Sequence, residues 1–199
     1  MSAKKSKLSD YEKKRDFRKT KEPSGGEKGR RGGKPIFVIQ KHASRNLHYD
    51  FRIEVDGVLA SWAVPKGPST DPREKRLAVP TEDHPLEYAD FEGVIPEGEY
   101  GAGTVMVWDK GTYENLRASK EKDGASMEEA LELGKIEIAL DGDKLQGGYA
   151  LVRTGNGSNA RWLLIKMKDD EADARRNPVS TEPDSAASGR TMEEIADDG

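Results

Sequence analysis

Short apolar runs, each ended by a turn signal, follow one another between residues 35 and 168, and they constrain the fold more than any other feature. Residues 47–55 alternate apolar and polar side chains with period two, which is typical of a strand with one buried face. Asp56-Gly57 then predicts a hairpin turn, and residues 58–64 predict the returning strand. Further strands are predicted at residues 36–39, 76–79, 104–108, 111–114, 135–140, 148–153 and 161–167. Many short strands favour a mainly β fold, either an antiparallel β-barrel or a sandwich.

Helix signals are few. Residues 126–133 predict one short helix, because Ser126 can serve as the N-cap and Glu128 and Glu129 lie in the first turn. Residues 191–196 predict one or two further helical turns packed against a partner.

The tryptophans of the strand patterns are expected in the core rather than as base-stacking platforms: Trp62, Trp108 and Trp162. The glycines before the strand at 104 are expected in tight turns rather than in a phosphate-binding loop: Gly98, Gly101 and Gly103.

Charge divides the chain into three segments. Residues 1–34 carry 13 Lys and Arg against 5 Asp and Glu, whereas residues 169–199 carry 3 against 10. We therefore expect a flexible basic N-terminal arm (residues 1–34), a β-domain (residues 35–168) and a mostly disordered acidic C-terminal tail (residues 169–199). The overall net charge of −4 argues against a nucleic-acid partner, but the arm alone is basic enough to attract a polyanion. A purely solubilising role for the arm is the alternative.

Two absences narrow the chemistry. The sequence contains no cysteine, which excludes disulfides, thiolate nucleophiles and cysteine-ligated metals. No apolar run approaches the ~20 residues that a membrane-spanning helix needs, so a cytoplasmic protein without a membrane partner is expected. With only three histidines, any imidazole chemistry must use His42, His48 or His84.

The strand at residues 47–55 carries an unusual polar face. His48, Asp50 and Arg52 are spaced by two residues, so their side chains share one side of the strand. His48 and Asp50 can both reach one divalent metal, and His42 lies just upstream as a third ligand that leaves open coordination positions. Arg52 can hold an anion beside that metal. The alternative is an ordinary solvated face.

A second polar group follows. Lys66 lies in a loop bounded by Pro and Gly, Arg76 lies on a predicted strand, and His84 precedes a proline. These three residue types suit a phosphate, although each is also common on a protein surface. Two histidines and a carboxylate also bind iron in oxygenases, but the surrounding Lys and Arg favour a phosphate substrate.

Several long motifs together resemble the 3′-phosphoesterase domain of the DNA ligase D family, which comprises bacterial and archaeal end-joining repair enzymes. The runs that carry the resemblance are residues 37–52, 61–68, 84–88 and 91–104, with weaker similarity at 145–153 and 162–166. Residues 8–17 and 20–23 resemble the family's N-terminal arm. Residues 188–196 resemble the segment that leads toward a ligase domain.

The resemblance implies a small β-barrel with a metal site in a surface groove. It implies that manganese is bound by His42, His48 and Asp50, and that the scissile phosphate is contacted by Arg52 and His84. It further implies that Lys66 and Arg76 contact the phosphate and that Glu82 and Tyr88 support the active site. In the N-terminal arm, it implies that ribonucleoside removal depends on Arg15, Asp16 and Glu22.

The implied activity is metal-dependent healing of DNA 3′ ends. A 3′-terminal ribonucleoside would be removed first and the remaining 3′-phosphate second, leaving a 3′-hydroxyl for ligation. The implied partners are DNA or DNA–RNA 3′ ends in primer-templates, DNA ligase and polymerase modules in the same or another chain, and Ku. The alternative function is a non-catalytic DNA-end adaptor of the same fold.

Overall fold

A computed structural model describes residues 7–26 and 32–199. Within these residues, nine antiparallel strands are formed: β1 (Ile36–Ala43), β2 (Leu47–Val55), β3 (Val58–Val64), β4 (Lys75–Pro85), β5 (Gly93–Ile95), β6 (Gly103–Asn115), β7 (Lys135–Gly142), β8 (Gln146–Thr154) and β9 (Arg161–Lys166). Eight of them form a ring in the order β1-β2-β3-β4-β9-β8-β7-β6, which closes because β6 pairs with β1. β5 adds to the free side of β6 at its first residues. The predicted mainly β barrel is thus confirmed.

The β2–β3 hairpin forms as the sequence predicts. Asp56 and Gly57 both have positive φ, 48° and 80°, as a two-residue turn between twisted strands requires. The apolar set of β2 points into the barrel, where Tyr49, Phe51 and Ile53 are at most 3% exposed. The polar set of β2 therefore lies on the outer face of the wall.

Several strands run further than predicted, and β6 and β4 are extended the most. The runs at 104–108 and 111–114 form the single strand β6, which is continuous past Gly111. A Cβ at Gly111 would lie 1.9 Å from the carbonyl oxygen of Asp141 on β7, so only glycine permits this close pairing. β4 continues beyond the predicted residues 76–79 through Pro80 to Pro85, and the β3–β4 register shifts between Leu59 and Ser61.

The helices are short: α1 (Ser9–Lys13), α2 (Met127–Leu133), α3 (Pro178–Thr181) and α4 (Met192–Asp197), with 3-10 turns at Leu86–Asp90 and Gly157–Asn159. Ser126 caps α2 in a capping box with Glu129, which confirms the predicted helix. The three tryptophans are at most 5% exposed inside the barrel, as expected. None of the helices in the described ranges is long and apolar enough to cross a bilayer.

Both terminal segments lie against the barrel where the structure describes them. In the arm, Tyr11 is completely buried in an outer hydrophobic cluster with Leu59 and Tyr88. In the tail, Ile195 of α4 is 1% exposed and joins the interior cluster. Apolar side chains of both segments therefore contact the barrel within the described residues. Part of the predicted arm, residues 1–6 and 27–31, lies outside the described residues.

Candidate active site

The polar face of β2 forms one wall of a cavity of about 260 Å³ on the outside of the barrel. His42 arrives from β1, directly opposite His48 in the strand register, and Asp50 and Arg52 follow on β2. His84 comes from the end of β4 and completes the opposite wall. The period-two alternation therefore positions this group, since the neighbouring side chains of β2 fill the barrel interior.

His42, His48 and Asp50 converge on one point. One ligand atom from each residue lies within 4.8 Å of the others. The Oδ2 atom of Asp50 is 3.4 Å from Nδ1 of His42 and 3.3 Å from Nε2 of His48. Two imidazole nitrogens and a carboxylate oxygen in this arrangement fit a divalent transition metal with open coordination positions.

The remaining imidazole nitrogens fix the ring orientations. Nε2 of His42 donates to the carbonyl oxygen of Gly101 at 2.7 Å, and Nδ1 of His48 donates to the carbonyl oxygen of Asn46 at 3.0 Å. Each histidine therefore directs its other ring nitrogen toward Asp50, and that nitrogen can bind a metal when the imidazole is neutral, as in metal-binding histidines with a carbonyl acceptor. Gly101 has a φ of 76°, so the glycine loop forms a tight turn that orients a candidate ligand.

Charge also suits a cation at this point. Burial would raise the pKa of Asp50, but the Arg52 guanidinium, 3.4 Å away, and both imidazoles hold that pKa well below its usual range. Burial would lower the pKa of His48, but its contact with Asp50 outweighs burial and raises it. Asp50 is therefore an anionic ligand at neutral pH.

Arg52 is held in one orientation by Gln40, which is completely buried on β1. The Nε atom of Arg52 donates to Oε1 of Gln40 at 2.7 Å. The amide nitrogen of Gln40 in turn donates to the carbonyl oxygens of Tyr88 and Phe91 at 2.7 and 3.0 Å. The sequence analysis missed Gln40, and its only signal was one amide directly after an apolar run.

His84 faces two guanidinium groups. Its Nδ1 atom is 3.1 Å from Nη1 of Arg52 and 2.9 Å from the carbonyl oxygen of Glu82, and its Nε2 atom is 3.4 Å from Nη2 of Arg15. Burial, followed by the charges of Arg52 and Arg15, lowers the pKa of His84 well below 6.5. The imidazole is therefore neutral in the free protein at pH 7.

The arm adds a buried ion-pair network behind the cavity. The side chain of Arg15 is 4% exposed and that of Glu22 is 0% exposed, and Nε of Arg15 lies 3.0 Å from Oε1 of Glu22. The same carboxylate oxygen accepts from the Tyr88 hydroxyl at 2.8 Å. Nη1 of Arg15 lies 3.4 Å from Oε1 of Glu82. The network connects the arm directly to β4 and to the turn after it.

The structure brings most, though not all, of the predicted site residues together. Those that line the cavity are Arg15, His42, His48, Asp50, Arg52, Glu82, His84 and Tyr88. Glu22 lies behind them. Asp16 pairs with Arg18 at 2.9 Å, Lys66 is exposed after β3, and Arg76 is half-buried on β4, so none of these three lines the cavity. Thr81 and Tyr100, which were not predicted, do line it.

This fold and site define a β-barrel protein with a candidate metal centre beside buried cations. The family model of the DNA Ligase D 3′-phosphoesterase domain matches residues 40–153. This chain therefore belongs to the DNA ligase D 3′-phosphoesterase family, as the sequence motifs predicted.

Similar proteins are bacterial. The "Multifunctional non-homologous end joining protein LigD" of Pseudomonas aeruginosa is 50% identical over 93% of this chain and 22% of that protein. The protein of the same name from Mycolicibacterium smegmatis is 47% identical over 83% of this chain and 21% of that protein. The "Multifunctional non-homologous end joining DNA repair protein LigD" of Mycobacterium tuberculosis is 46% identical over 82% and 20%. The chain spans about a fifth of the length of these relatives.

Proposed function

We propose that this protein is a manganese-dependent phosphoesterase that heals the 3′ ends of DNA. It removes a 3′-terminal ribonucleoside and then the remaining 3′-phosphate. The proposal depends on one observation. His42, His48 and Asp50 line the same cavity as the buried cations Arg52 and Arg15. A metal-ligand set beside two guanidiniums suits a phosphoryl group better than an apolar substrate.

The proposed reaction consists of two hydrolyses. In the first, water attacks the phosphodiester of the terminal nucleotide, the bond to the leaving 5′-oxygen breaks, and a free ribonucleoside departs. In the second, water attacks the resulting 3′-phosphate and inorganic phosphate departs. The product is a 3′-hydroxyl, the end that a DNA ligase requires. Ligase and polymerase modules, in the same or another chain, and Ku are therefore the proposed partners.

Each residue has a distinct part in this proposal. His42, His48 and Asp50 would hold a divalent cation, which would supply Lewis-acid polarisation of a phosphoryl oxygen. Arg52, held rigid by Gln40, neutralises charge that develops on the transferring group. Arg15 contributes a second positive charge from the arm. Lys66 and Arg76, outside the cavity, remain proposed contacts for phosphate removal.

His84 is proposed as the general acid, with its proton supplied on substrate binding. Burial and two guanidiniums keep the free imidazole neutral, but a bound phosphate dianion would offset the guanidiniums and favour protonation. The imidazolium can then give its proton to the leaving oxygen. Glu82 and Tyr88 support it, because the Glu82 carbonyl oxygen contacts the His84 ring and the Tyr88 ring lies 4.6 Å from it.

The test is an end-healing assay with manganese. Wild-type protein should shorten a primer-template that ends in one ribonucleotide, and should release phosphate from a 3′-phosphate end. His48→Ala should abolish both reactions, because the cation loses a ligand, whereas Glu193→Ala on the exposed surface of α4 should retain both. Chelation should abolish both reactions and added manganese should restore them.

Two outcomes would contradict parts of this proposal. An H48A protein with full metal-dependent hydrolysis would overturn the ligand assignment. A wild-type protein that binds 3′ ends without turnover in any divalent ion would instead indicate the DNA-end adaptor.

A further inference from the structure

An exposed aromatic ring stands at the mouth of the cavity. Tyr100 lies in the turn between β5 and β6, and it is 47% exposed. Among the exposed large apolar side chains in the described residues, it is the one that lines the cavity. Its neighbour Gly101 orients His42, so the turn carries both a contact to the candidate metal centre and a partly exposed aromatic ring.

The arm holds this ring in place. Nζ of Lys14 lies 4.8 Å from the ring centroid and 3.4 Å from the hydroxyl oxygen, and the Arg15 guanidinium carbon lies 5.4 Å from the centroid. Lys14 also reaches Glu82 on β4 at 3.3 Å. Tyr100 is therefore part of a wall in which the arm and the turn meet.

That wall closes one side of the cavity. Arg15 contacts His84 and Glu82 there, and Lys19 lies 3.9 Å from Glu99 in the Tyr100 turn. Tyr100 lines the same cavity as His42, His48 and Asp50, so its ring is a candidate contact for the nucleoside attached to a phosphate at that centre.

We propose that Tyr100 is the stacking platform for the base of the 3′-terminal nucleoside. This inference rests on the proposed function, and it adds a specificity-determining residue to it. Bases of any sequence stack on an exposed tyrosine, so the contact would favour nucleosides without selecting among them. By holding the terminal base, the ring would set the position of the adjacent phosphodiester over His42, His48 and Asp50.

The experiment compares three ends on one primer-template with manganese. The first ends in a ribonucleoside, the second in a ribose without a base, and the third in a 3′-phosphate. Tyr100→Ala should lower kcat/KM on the first end about tenfold, since one base–aromatic stack is worth ~1.4 kcal/mol. It should change the other two ends by less than about twofold, because they offer no terminal base.

Two control variants accompany it. Tyr100→Phe keeps the ring and loses the hydroxyl contact with Lys14, so it should behave like wild type on all three ends. Leu77→Ala, exposed on β4 outside the cavity, should also leave all three rates unchanged. Thermal melting checks that Y100A remains folded at the assay temperature.

The outcomes separate the two proposals. A Y100A protein that loses equal activity on all three ends, or none on the first, would overturn the stacking platform while the proposed function stands. A wild-type protein inactive on all three ends would overturn the proposed function, and the platform with it.

Discussion

The arm and the tail are both polar segments outside the barrel, but they contact it in different ways. Besides the apolar Tyr11, the arm buries charge, because Arg15 pairs with Glu22 and with Glu82 on β4, and the side chains of Arg15 and Glu22 are 4% and 0% exposed. The tail buries an apolar side chain, Ile195, and makes backbone hydrogen bonds.

The tail contacts a stretch of β6 that lacks a strand partner on one side. Between its pairings with β5 and β7, β6 has no partner on one side. There the carbonyl oxygen of Val107 accepts from the Ala186 amide at 2.9 Å, and the Val107 amide donates to Glu92 at 3.0 Å. Arg190 of the tail lies 3.4 Å from Glu92. The tail thus hydrogen-bonds to this unpaired stretch of β6, whereas the arm reaches the cavity. We therefore expect the arm to affect activity and the tail to affect stability.

The largest expected effect comes from removing the arm. Deletion of residues 1–30 eliminates Arg15 and Glu22 from the site, and we expect ribonucleoside removal to fall about 100- to 1,000-fold, as for the loss of a transition-state contact. Phosphate removal should fall much less, because Arg52 and His84 remain. Steady-state rates on ribonucleoside and 3′-phosphate ends measure both.

Lys13→Ala is the matched control for this deletion. Lys13 is exposed on α1 of the arm and lies outside the cavity. Loss of its side chain should therefore leave both rates unchanged. Equal loss of the two activities on deletion would show that the arm does not distinguish the two steps.

The second prediction concerns the tail. Ile195→Ala should lower the free energy of unfolding by about 2–5 kcal/mol, because it leaves a cavity against the barrel interior. The value of kcat at a temperature where the protein is folded should stay within about twofold of wild type. Urea denaturation measures the first quantity. Ile195→Val, the conservative control, should cost about 0.5–1.5 kcal/mol.

The sequence predicted the local parts of this molecule well. The alternation in β2 placed His48, Asp50 and Arg52 on one outer face, and the Asp56-Gly57 turn was predicted correctly, because both depend on neighbouring residues alone. The capped helix α2 was found for the same reason.

Contacts between distant segments could not be predicted from pattern. Gln40 lies between an apolar run and Lys41, and period two does not reveal that its amide supports Arg52 across the β1–β2 pair. Arg15 meets Glu82 and His84 across more than sixty residues of chain, so no periodicity connects them. The composition of the tail likewise shows only that it is acidic on average. It does not indicate that one apolar side chain, Ile195, packs against the barrel.

The third prediction tests whether the charge of the arm reaches His84. His84 is neutral in the fold and takes up a proton on unfolding below pH 6.5, because burial, Arg52 and Arg15 lower its folded pKa. The unfolded state thus binds more protons, so the free energy of unfolding should fall as pH drops from 6.5 toward 5. One such group contributes at most about 1.4 kcal/mol per pH unit.

Denaturation with chelator present measures this slope. His84→Asn should remove the contribution of His84, and Arg15→Gln should reduce it, whereas Ile195→Val should leave it unchanged. A slope that is identical in wild type and H84N would show that His84 titrates normally in the fold.

The smallest expected effect comes from Lys14, and it distinguishes the exposed charge of the arm from the buried charge. Lys14 pairs with Glu82 and contacts Tyr100, but its side chain is 41% exposed, so solvent and salt screen its charge. Exposed pairs of this kind contribute about 0.2–1 kcal/mol, so Lys14→Ala should lower kcat/KM on a ribonucleoside end less than about fivefold. The difference should vanish in 1 M salt, whereas the loss caused by deleting the buried Arg15 should persist. A salt-independent Lys14 effect would place that ammonium group in the buried network with Arg15.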